Sequence, residues 1–172
     1  MTLLDIKKHA ALLLGISTNF TTPTVENLAI DKCAKIIVEE VSEQYVDVKH
    51  IEKAFARNGK IFYNDLSKKV KSIAVVKRNG QAVKFNEYST FFTVDKDGEY
   101  EVKYNYFPSV EDGIELDIPP RFTTHILGLG IAGEYCFRKG LIDEAEDFRR
   151  RFLTALTNVT NTKKSYKIKV VR

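Results

Sequence analysis

Three glycines in the C-terminal part of the chain have the spacing of a nucleotide-binding motif. Gly128, Gly130 and Gly133 match G-x-G-x-x-G, in which glycines let the backbone approach a dinucleotide pyrophosphate. That chemistry needs a preceding strand, a helix that opens at the glycines, and an acidic residue about twenty positions later. Here two prolines precede the motif, the glycines fall inside a helical pattern, and the residue twenty positions after Gly133 is Leu153. The pattern therefore favours close helix packing at these glycines, and it predicts no cofactor.

An acidic loop between Pro108 and Ile118 raises the alternative of a calcium site. It contains four carboxylates within seven residues, namely Glu111, Asp112, Glu115 and Asp117. Calcium loops built on the D-x-[DN]-x-[DN]-G pattern space their oxygen ligands regularly, and this spacing is absent here. We therefore expect a solvated loop and no metal.

The remaining reactive side chains show no catalytic pattern. His9, His50 and His125 lie far apart, and none has a metal-ligating residue four positions later. Neither a serine nor a cysteine stands in a nucleophile-elbow context. Cys33 and Cys136 occupy apolar positions of predicted helices, which favours buried thiols over a disulfide. The sequence predicts a protein that is not an enzyme.

Helical patterns stand at both ends of the chain. At the N-terminus one predicted helix ends at Gly15 and a second runs from Thr24 to Gln44. The buried side of the second helix is predicted to carry Ala29, Cys33, Ile36, Ile37, Val41 and Tyr45.

The C-terminal pattern predicts a helical hairpin whose second helix begins at Asp143. Its first arm contains the stretch Ile126–Phe137, in which Glu134 is the single charge, so most of its surface must be covered. The apolar run has about twelve residues where a membrane span needs about twenty, so we expect a buried helix.

Between the two helical regions, the hydrophobic period changes from helical to alternating near Val46. Asn58-Gly59, Asn79-Gly80 and Asp97-Gly98 are strong hairpin signals, because their residues tolerate positive φ. The expected strands are Val48–Arg57, Lys60–Asn64, Val70–Arg78, Gln81–Asn86, Ser89–Val94 and Glu99–Phe107. In the last of them Val102, Tyr104 and Tyr106 share one face, and we expect one face of the sheet to be packed. The predicted fold class is α+β: a helical bundle with an antiparallel β meander inserted at about 48–107. We expect a single domain over 1–162, followed by an extended C-terminal tail over 163–172.

The net charge of +4 is concentrated in that tail. Residues 1–47 sum to −3, residues 48–120 to +1 and residues 121–162 to +1, whereas residues 163–172 carry five cations and no acid. A nucleic-acid-binding domain usually carries a basic face on its folded body. The alternation of Tyr166, Ile168 and Val170 with Lys167 and Lys169 is typical of a strand with one apolar face.

Three stretches carry a resemblance to a known family: Gly59–Leu66, Ile73–Phe85 and, above all, Leu116–Leu156. The sequence resembles the head-to-tail adaptor proteins of tailed bacteriophages, also called connector or tail tubular proteins. The resemblance covers most of the chain but includes no chemically diagnostic residue. It implies a non-enzymatic virion protein of the neck or tail, assembled in the host cytoplasm, that forms a ring of about twelve copies between the portal and the next tail component.

The resemblance also implies which residues contact partners. The subunit-packing residues would be Phe122, Ile126, Leu129, Gly130, Gly133 and Phe137. The alternation in the tail, and not the resemblance, predicts that it docks on a sheet edge of a neighbouring subunit, the portal or the next ring through Tyr166, Lys167, Ile168, Lys169 and Val170. The alternative for this segment is a solvated tail that binds nothing. Duplex DNA would pass through the lumen without sequence-specific binding, and no membrane is involved. The alternative is a small nucleic-acid-binding module whose basic tail grips phosphate.

Overall fold

A computed structural model describes residues 1–17, 19–111 and 113–161 of the chain. The chain divides into two compact units. We call Met1–Tyr45 together with the chain from Ser109 onward the helical unit, and Val46–Pro108 the β unit. The proposed docking tail, residues 163–172, lies outside the described residues.

In its described residues, the helical unit contains four helices: α1 (Leu3–Leu13), α2 (Val25–Gln44), α3 (Thr124–Arg138) and α4 (Ile142–Asn161). The hydroxyls of Thr2, Thr24 and Thr123 cap the first three by accepting backbone N–H groups of the first turn. At Thr2 the cap is reciprocal, because the Asp5 carboxylate accepts the Thr2 N–H. The predicted starts of α2, at Thr24, and of the second hairpin helix, at Asp143, agree with the structure to within one residue.

The helix α3 is the centre of this unit, and it packs against α1, α2 and α4. Its interior face is almost completely buried, as the long apolar run requires. The sequence suggested that so apolar a helix needs a neighbouring subunit to cover it. Within the helical unit, the other three helices already provide most of this cover.

The α2 interior face differs from the predicted one by a small rotation. Its core residues are Ile30, Cys33, Ala34, Ile37, Val38 and Val41, each at most 3% exposed. The predicted core residue Ile36 is instead 36% exposed. The buried face is wide enough for the adjacent pairs Cys33-Ala34 and Ile37-Val38, and Ile36 lies outside it because it is about 100° around the helix from Ile37 on the side away from Val38.

A buried lysine joins α1 to α2. Lys7 is only 7% exposed, and its Nζ lies 2.9 Å from Asp31 Oδ1. The other carboxylate oxygen of Asp31 lies 2.9 Å from Lys35 Nζ. Burial raises the pKa of Asp31, but hydrogen bonds from the two ammonium groups outweigh burial, so the net pKa is lowered. The ionised carboxylate therefore stabilises the contact between the two helices.

We expect the free energy of unfolding to decrease in acid because of Asp31. The pKa of Asp31 is lower in the folded state than in the unfolded state. The unfolded state therefore binds more protons at pH values between the folded pKa and the ordinary pKa of roughly 4. The contribution is fully present above that ordinary value and is lost as pH falls through the folded pKa. Asp31→Asn should cost about 1–3 kcal/mol at neutral pH and should flatten this acid dependence. Urea unfolding between pH 3 and 7 measures both, and an unchanged acid slope in the variant would contradict the assignment.

The β unit contains seven strands in two antiparallel sheets. One sheet has the order β1-β7-β3-β4, formed by Val48–Ala56, Gly98–Tyr106, Val70–Arg78 and Gln81–Val83. The other has the order β2-β6-β5, formed by Lys60–Phe62, Phe91–Thr93 and Asn86–Glu87. Together with the helices, these sheets confirm the predicted α+β class with an antiparallel insertion.

Two of the three predicted hairpin turns are confirmed. Asn58 and Gly59 have φ of 53° and 67°, and Asn79 and Gly80 have φ of 51° and 80°. Positive φ at both positions is the requirement of the tight turn that connects twisted antiparallel strands. These turns join β1 to β2 and β3 to β4.

The third predicted hairpin, at Asp97-Gly98, is wrong. Asp97 does not adopt positive φ, and β6 and β7 do not pair with each other, since β6 pairs with β2 and β5 whereas β7 pairs with β1 and β3. At Asn58-Gly59, by contrast, Arg57 and Lys60 exchange two backbone hydrogen bonds of 3.0 Å, although β1 and β2 then continue into different sheets. Asp97 instead makes tertiary contacts: its Oδ1 accepts the Gly59 N–H at 2.6 Å, and its carbonyl accepts from Arg78 Nη2 at 3.0 Å. Local turn propensity was outweighed by these contacts with the other two turns.

The β unit has its own core. The inward positions of β7 are the predicted ones, since Val102 and Tyr104 are fully buried and Tyr106 is 6% exposed. Ile61 and Phe92 from the smaller sheet join them in one hydrophobic cluster. The two sheets are therefore packed around a shared interior.

Candidate functional site

One surface feature of the helical unit is a cleft between α3 and α4, which we call the α3–α4 cleft. Its volume is about 320 Å³. Its lining residues are Ile37, Gly130, Gly133, Glu134, Phe137, Ile142, Ala145, Glu146, Arg149 and Phe152. The lining is mostly apolar with a few charged groups, which is the usual composition of a site that binds an apolar partner group.

Two glycines of α3 determine how closely the helices approach beneath this cleft. A Cβ at Gly130 would lie 2.9 Å from Ile37 Cγ2 and 3.0 Å from the Phe152 ring, closer than real Cβ contacts. A Cβ at Gly133 would lie 3.3 Å from the backbone N of Arg149, which is tighter than most real Cβ contacts and would require a small shift of α4. The close-packing interpretation of these glycines therefore has a geometric basis, with α2 and α4 as the neighbours.

The rim of the cleft exposes large apolar side chains. Phe137 is 64% exposed, and Ile142 and Leu141 are nearly half exposed. These three residues surround the α3–α4 connection, where Gly140 adopts the left-handed conformation with φ of 76°. Contiguous exposed apolar groups beside a concave surface mark an interaction site more often than a catalytic one.

Charged groups of opposite sign also line the cleft. Glu134 is held by Arg138, whose Nε lies 2.7 Å from Glu134 Oε1. Glu146 and Arg149 stand on the α4 side, close to the acidic first turn formed by Asp143 and Glu144. The side of the cleft formed by the start of α4 is therefore predominantly acidic.

The predicted subunit-packing residues divide into two groups in the structure. Phe122, Ile126, Leu129, Gly130 and Gly133 are buried within the helical unit, whereas Phe137 is exposed. Five of the six are therefore covered by the chain itself, and Phe137 alone among them has an exposed side chain. The sequence analysis did not identify Leu141 and Ile142 as exposed apolar residues. Their position directly after Gly140, in the connection between two helices, could have indicated this exposure.

Both cysteines are buried free thiols. Burial, with a smaller contribution from the nearby Glu134 carboxylate, raises the pKa of Cys33 to about 11. Burial also raises the pKa of Cys136. Neither thiol is activated as a nucleophile, since activation requires a lowered pKa.

Two histidines that are distant in sequence meet in the helical unit. His9 Nε2 lies 3.0 Å from His125 Nδ1, and the rings are nearly perpendicular. Burial lowers the pKa of His9, and so does the charge of His125. Among the residues that the structure describes, no group of three or more His, Cys, Asp or Glu is arranged to hold a metal ion.

The third histidine belongs to a polar cluster of the β unit. His50 Nε2 lies 3.4 Å from Ser67 Oγ, which is long for a hydrogen bond to a hydroxyl. Glu52 accepts the Ser67 N–H at 2.9 Å and also accepts from the Tyr104 hydroxyl. A catalytic triad instead needs the carboxylate on the histidine nitrogen that faces away from the serine. This cluster therefore anchors the loop that contains Ser67.

No helix in the described part of the chain is long and apolar enough to cross a membrane. In the acidic loop, the carboxylate oxygen Oε1 of Glu115 lies 2.6 Å from the N-terminal ammonium nitrogen of Met1. The loop thus has a visible structural role in securing the start of α1.

Comparison with known proteins returns no family. No protein-family model matches the chain. No curated protein matches it either. The α3–α4 cleft, with Phe137 and Ile142 among its lining residues and Leu141 exposed next to Ile142 in the chain, is a surface suited to binding an apolar group.

Proposed function

We propose that this protein is a structural subunit of a tailed-bacteriophage neck: it forms a ring that joins the portal to the tail and encloses part of the DNA channel. The observation that carries the proposal is the α3–α4 cleft with its exposed apolar rim. Such a surface is suited to a partner that buries it, and ring subunits offer that partner in every neighbouring copy. The sequence resemblance to head-to-tail adaptors agrees with this use.

The charge distribution is also consistent with a DNA channel. Residues 1–45 and 109–161 contain ten cations and fifteen acids, a net charge of −5. Binding to duplex DNA grows with the number of phosphates that cations neutralise. A ring whose lumen is formed by these residues, and not by the five cations of residues 163–172, would let DNA pass without retaining it.

Assembly with the portal tests the function. We expect the purified protein, mixed with assembled portal from the same phage, to form closed rings of about twelve copies on it, visible by electron microscopy. Phe137→Asp should reduce this assembly without unfolding the protein, because it puts a charge at a position that assembly buries. A wild-type chain that stays unbound in the presence of assembled portal would contradict the proposal.

The tail provides a second arm of the same experiment. We expect truncation after Thr162, and the double change of Ile168 and Val170 to aspartate, to leave a folded protein that no longer joins the portal or tail. Strand addition would explain this loss, since a partner sheet edge pairs with the backbone and its pockets take alternate side chains. Retained assembly by the aspartate variant would exclude the tail as a docking strand. A salt-dependent affinity for DNA that disappears with the tail would instead favour the nucleic-acid-binding alternative.

A further inference from the structure

The α3–α4 cleft has the properties of a receptor for an amphipathic helix. Its floor is formed by Ile37, Ala145 and Phe152, each at most 6% exposed. Its rim exposes Phe137 and Ile142, and Glu146 lies on the α4 side. An amphipathic helix binds such a groove by placing apolar residues one or two turns apart inside it.

A matching surface exists on α1. Leu4, Lys8 and Leu12 are spaced four residues apart, so they form one stripe along the helix. Leu12 is 69% exposed and Leu4 is 37% exposed, whereas the opposite face of α1 is buried in the helical unit. We call these three residues the α1 stripe.

The charges of the two surfaces are complementary. Lys8 stands between the two leucines of the α1 stripe, and carboxylates stand beside the cleft. Arg138 already engages Glu134 at 2.7 Å, so Glu146 is the carboxylate assigned to Lys8. A cation held at the centre of an apolar stripe also fixes the register in which the stripe can bind, because a shift would leave Lys8 over the apolar floor.

From these observations we propose that the α3–α4 cleft binds the α1 stripe of a second copy of this chain, with Lys8 of one copy paired to Glu146 of the other. The stripe contacts neither its own cleft nor an identical stripe, so the interface joins two different patches. Repetition of such a contact produces a closed ring or an open filament rather than a two-fold dimer. The inference rests on the ring proposed above and identifies the surfaces that build it.

A similar stripe on α2 provides a matched control. Leu28, Lys32 and Ile36 have the same four-residue spacing, and Leu28 is 55% exposed. This stripe ends beside the cleft of its own molecule, since Ile36 directly precedes the floor residue Ile37. It therefore cannot be the distant patch that a ring contact requires, and Leu28→Asp should not affect association.

The experiment measures self-association by analytical ultracentrifugation over a wide range of protein concentration. We expect the wild type to associate, and Leu12→Asp and Phe137→Asp each to weaken association by about tenfold or more, because each buries an unpaired charge in the contact. Leu28→Asp should behave as the wild type. Circular dichroism confirms that each variant is folded, which is expected because all three substituted side chains are more than half exposed.

Mixing the two defective variants gives the decisive result. Leu12→Asp keeps an intact cleft and Phe137→Asp keeps an intact stripe, so the mixture should form heterodimers that grow no further. Lys8→Glu and Glu146→Lys should each weaken wild-type association, and the two changes together in one chain should restore it. A mixture that stays monomeric, a defect in Leu28→Asp equal to that of Leu12→Asp, or a wild type that is monomeric at all concentrations would overturn the inference. If a variant that has lost self-association still forms rings on the portal, the inference fails and the proposed function stands. If the wild type self-associates through this contact but does not bind the portal, the inference stands and the proposed function fails.

Discussion

Gly130→Leu is expected to destabilise the helical unit by about 3 kcal/mol or more, because the new side chain has no space between α2 and α4. Even a single Cβ at this position would lie 2.9 Å from Ile37 and 3.0 Å from Phe152. Both neighbours are buried, at 3% exposure each, so neither can move into solvent. Chemical denaturation followed by circular dichroism measures the loss.

Alanine substitutions at the two glycines separate close packing from helix propensity. Gly130→Ala should still be destabilising, by about 1–3 kcal/mol, because its contacts are below 3.0 Å or at that limit. At Gly133 the nearest atom is 3.3 Å away, and alanine gains up to about 1 kcal/mol over glycine in a helix, so Gly133→Ala should be nearly neutral. Equal effects at the two positions would contradict the packing geometry. A rise in melting temperature with nicotinamide or flavin nucleotides would revive the dinucleotide interpretation.

The sequence predicted local features well, since local physics determines them. The threonine at position 24 forms the cap of α2, and Asn58-Gly59 and Asn79-Gly80 adopt the positive φ that their turn requires. The alternation in β7 correctly identified Val102, Tyr104 and Tyr106 as inward residues. In each case, neighbouring residues alone specify the conformation.

The features that the sequence did not predict depend on contacts between distant residues. The pairing of β1 with β7 joins positions about fifty residues apart, and no local signal separates the strands into two sheets. Lys7 lies on the buried face of α1 because Asp31 is there to pair with it. The cleft likewise needs Ile37 from α2 together with Phe137 and Phe152. From the sequence, only its glycines and Phe137 could be identified as packing residues.

Phe92→Ala is expected to cost about 3–5 kcal/mol of stability in the β unit, the range for removing a large aromatic residue from a core. Phe92 is fully buried, and its ring lies 6.0 Å from the Tyr63 ring and 6.1 Å from the Phe85 ring. On β2, Ile61 is paired with Phe92 and is buried with it. Phe62 follows Ile61 in the strand, so its side chain points to the opposite face, where it is 45% exposed.

Phe62 is therefore the matched control for Phe92, since it has the same side chain on the opposite face of the same small sheet. Phe62→Ala removes an identical group but leaves no internal cavity, so it should cost less than about 1 kcal/mol. Urea unfolding followed by tyrosine fluorescence measures both variants, because Tyr100 and Tyr104 lie in the same core. Comparable losses in the two variants would show that both faces of the β2-β6-β5 sheet are covered, and the outward face would then have to be buried by a partner or a second copy. A loss confined to Phe92→Ala would place the stabilising core of the β unit on the inner face alone and leave Phe62 available at the surface.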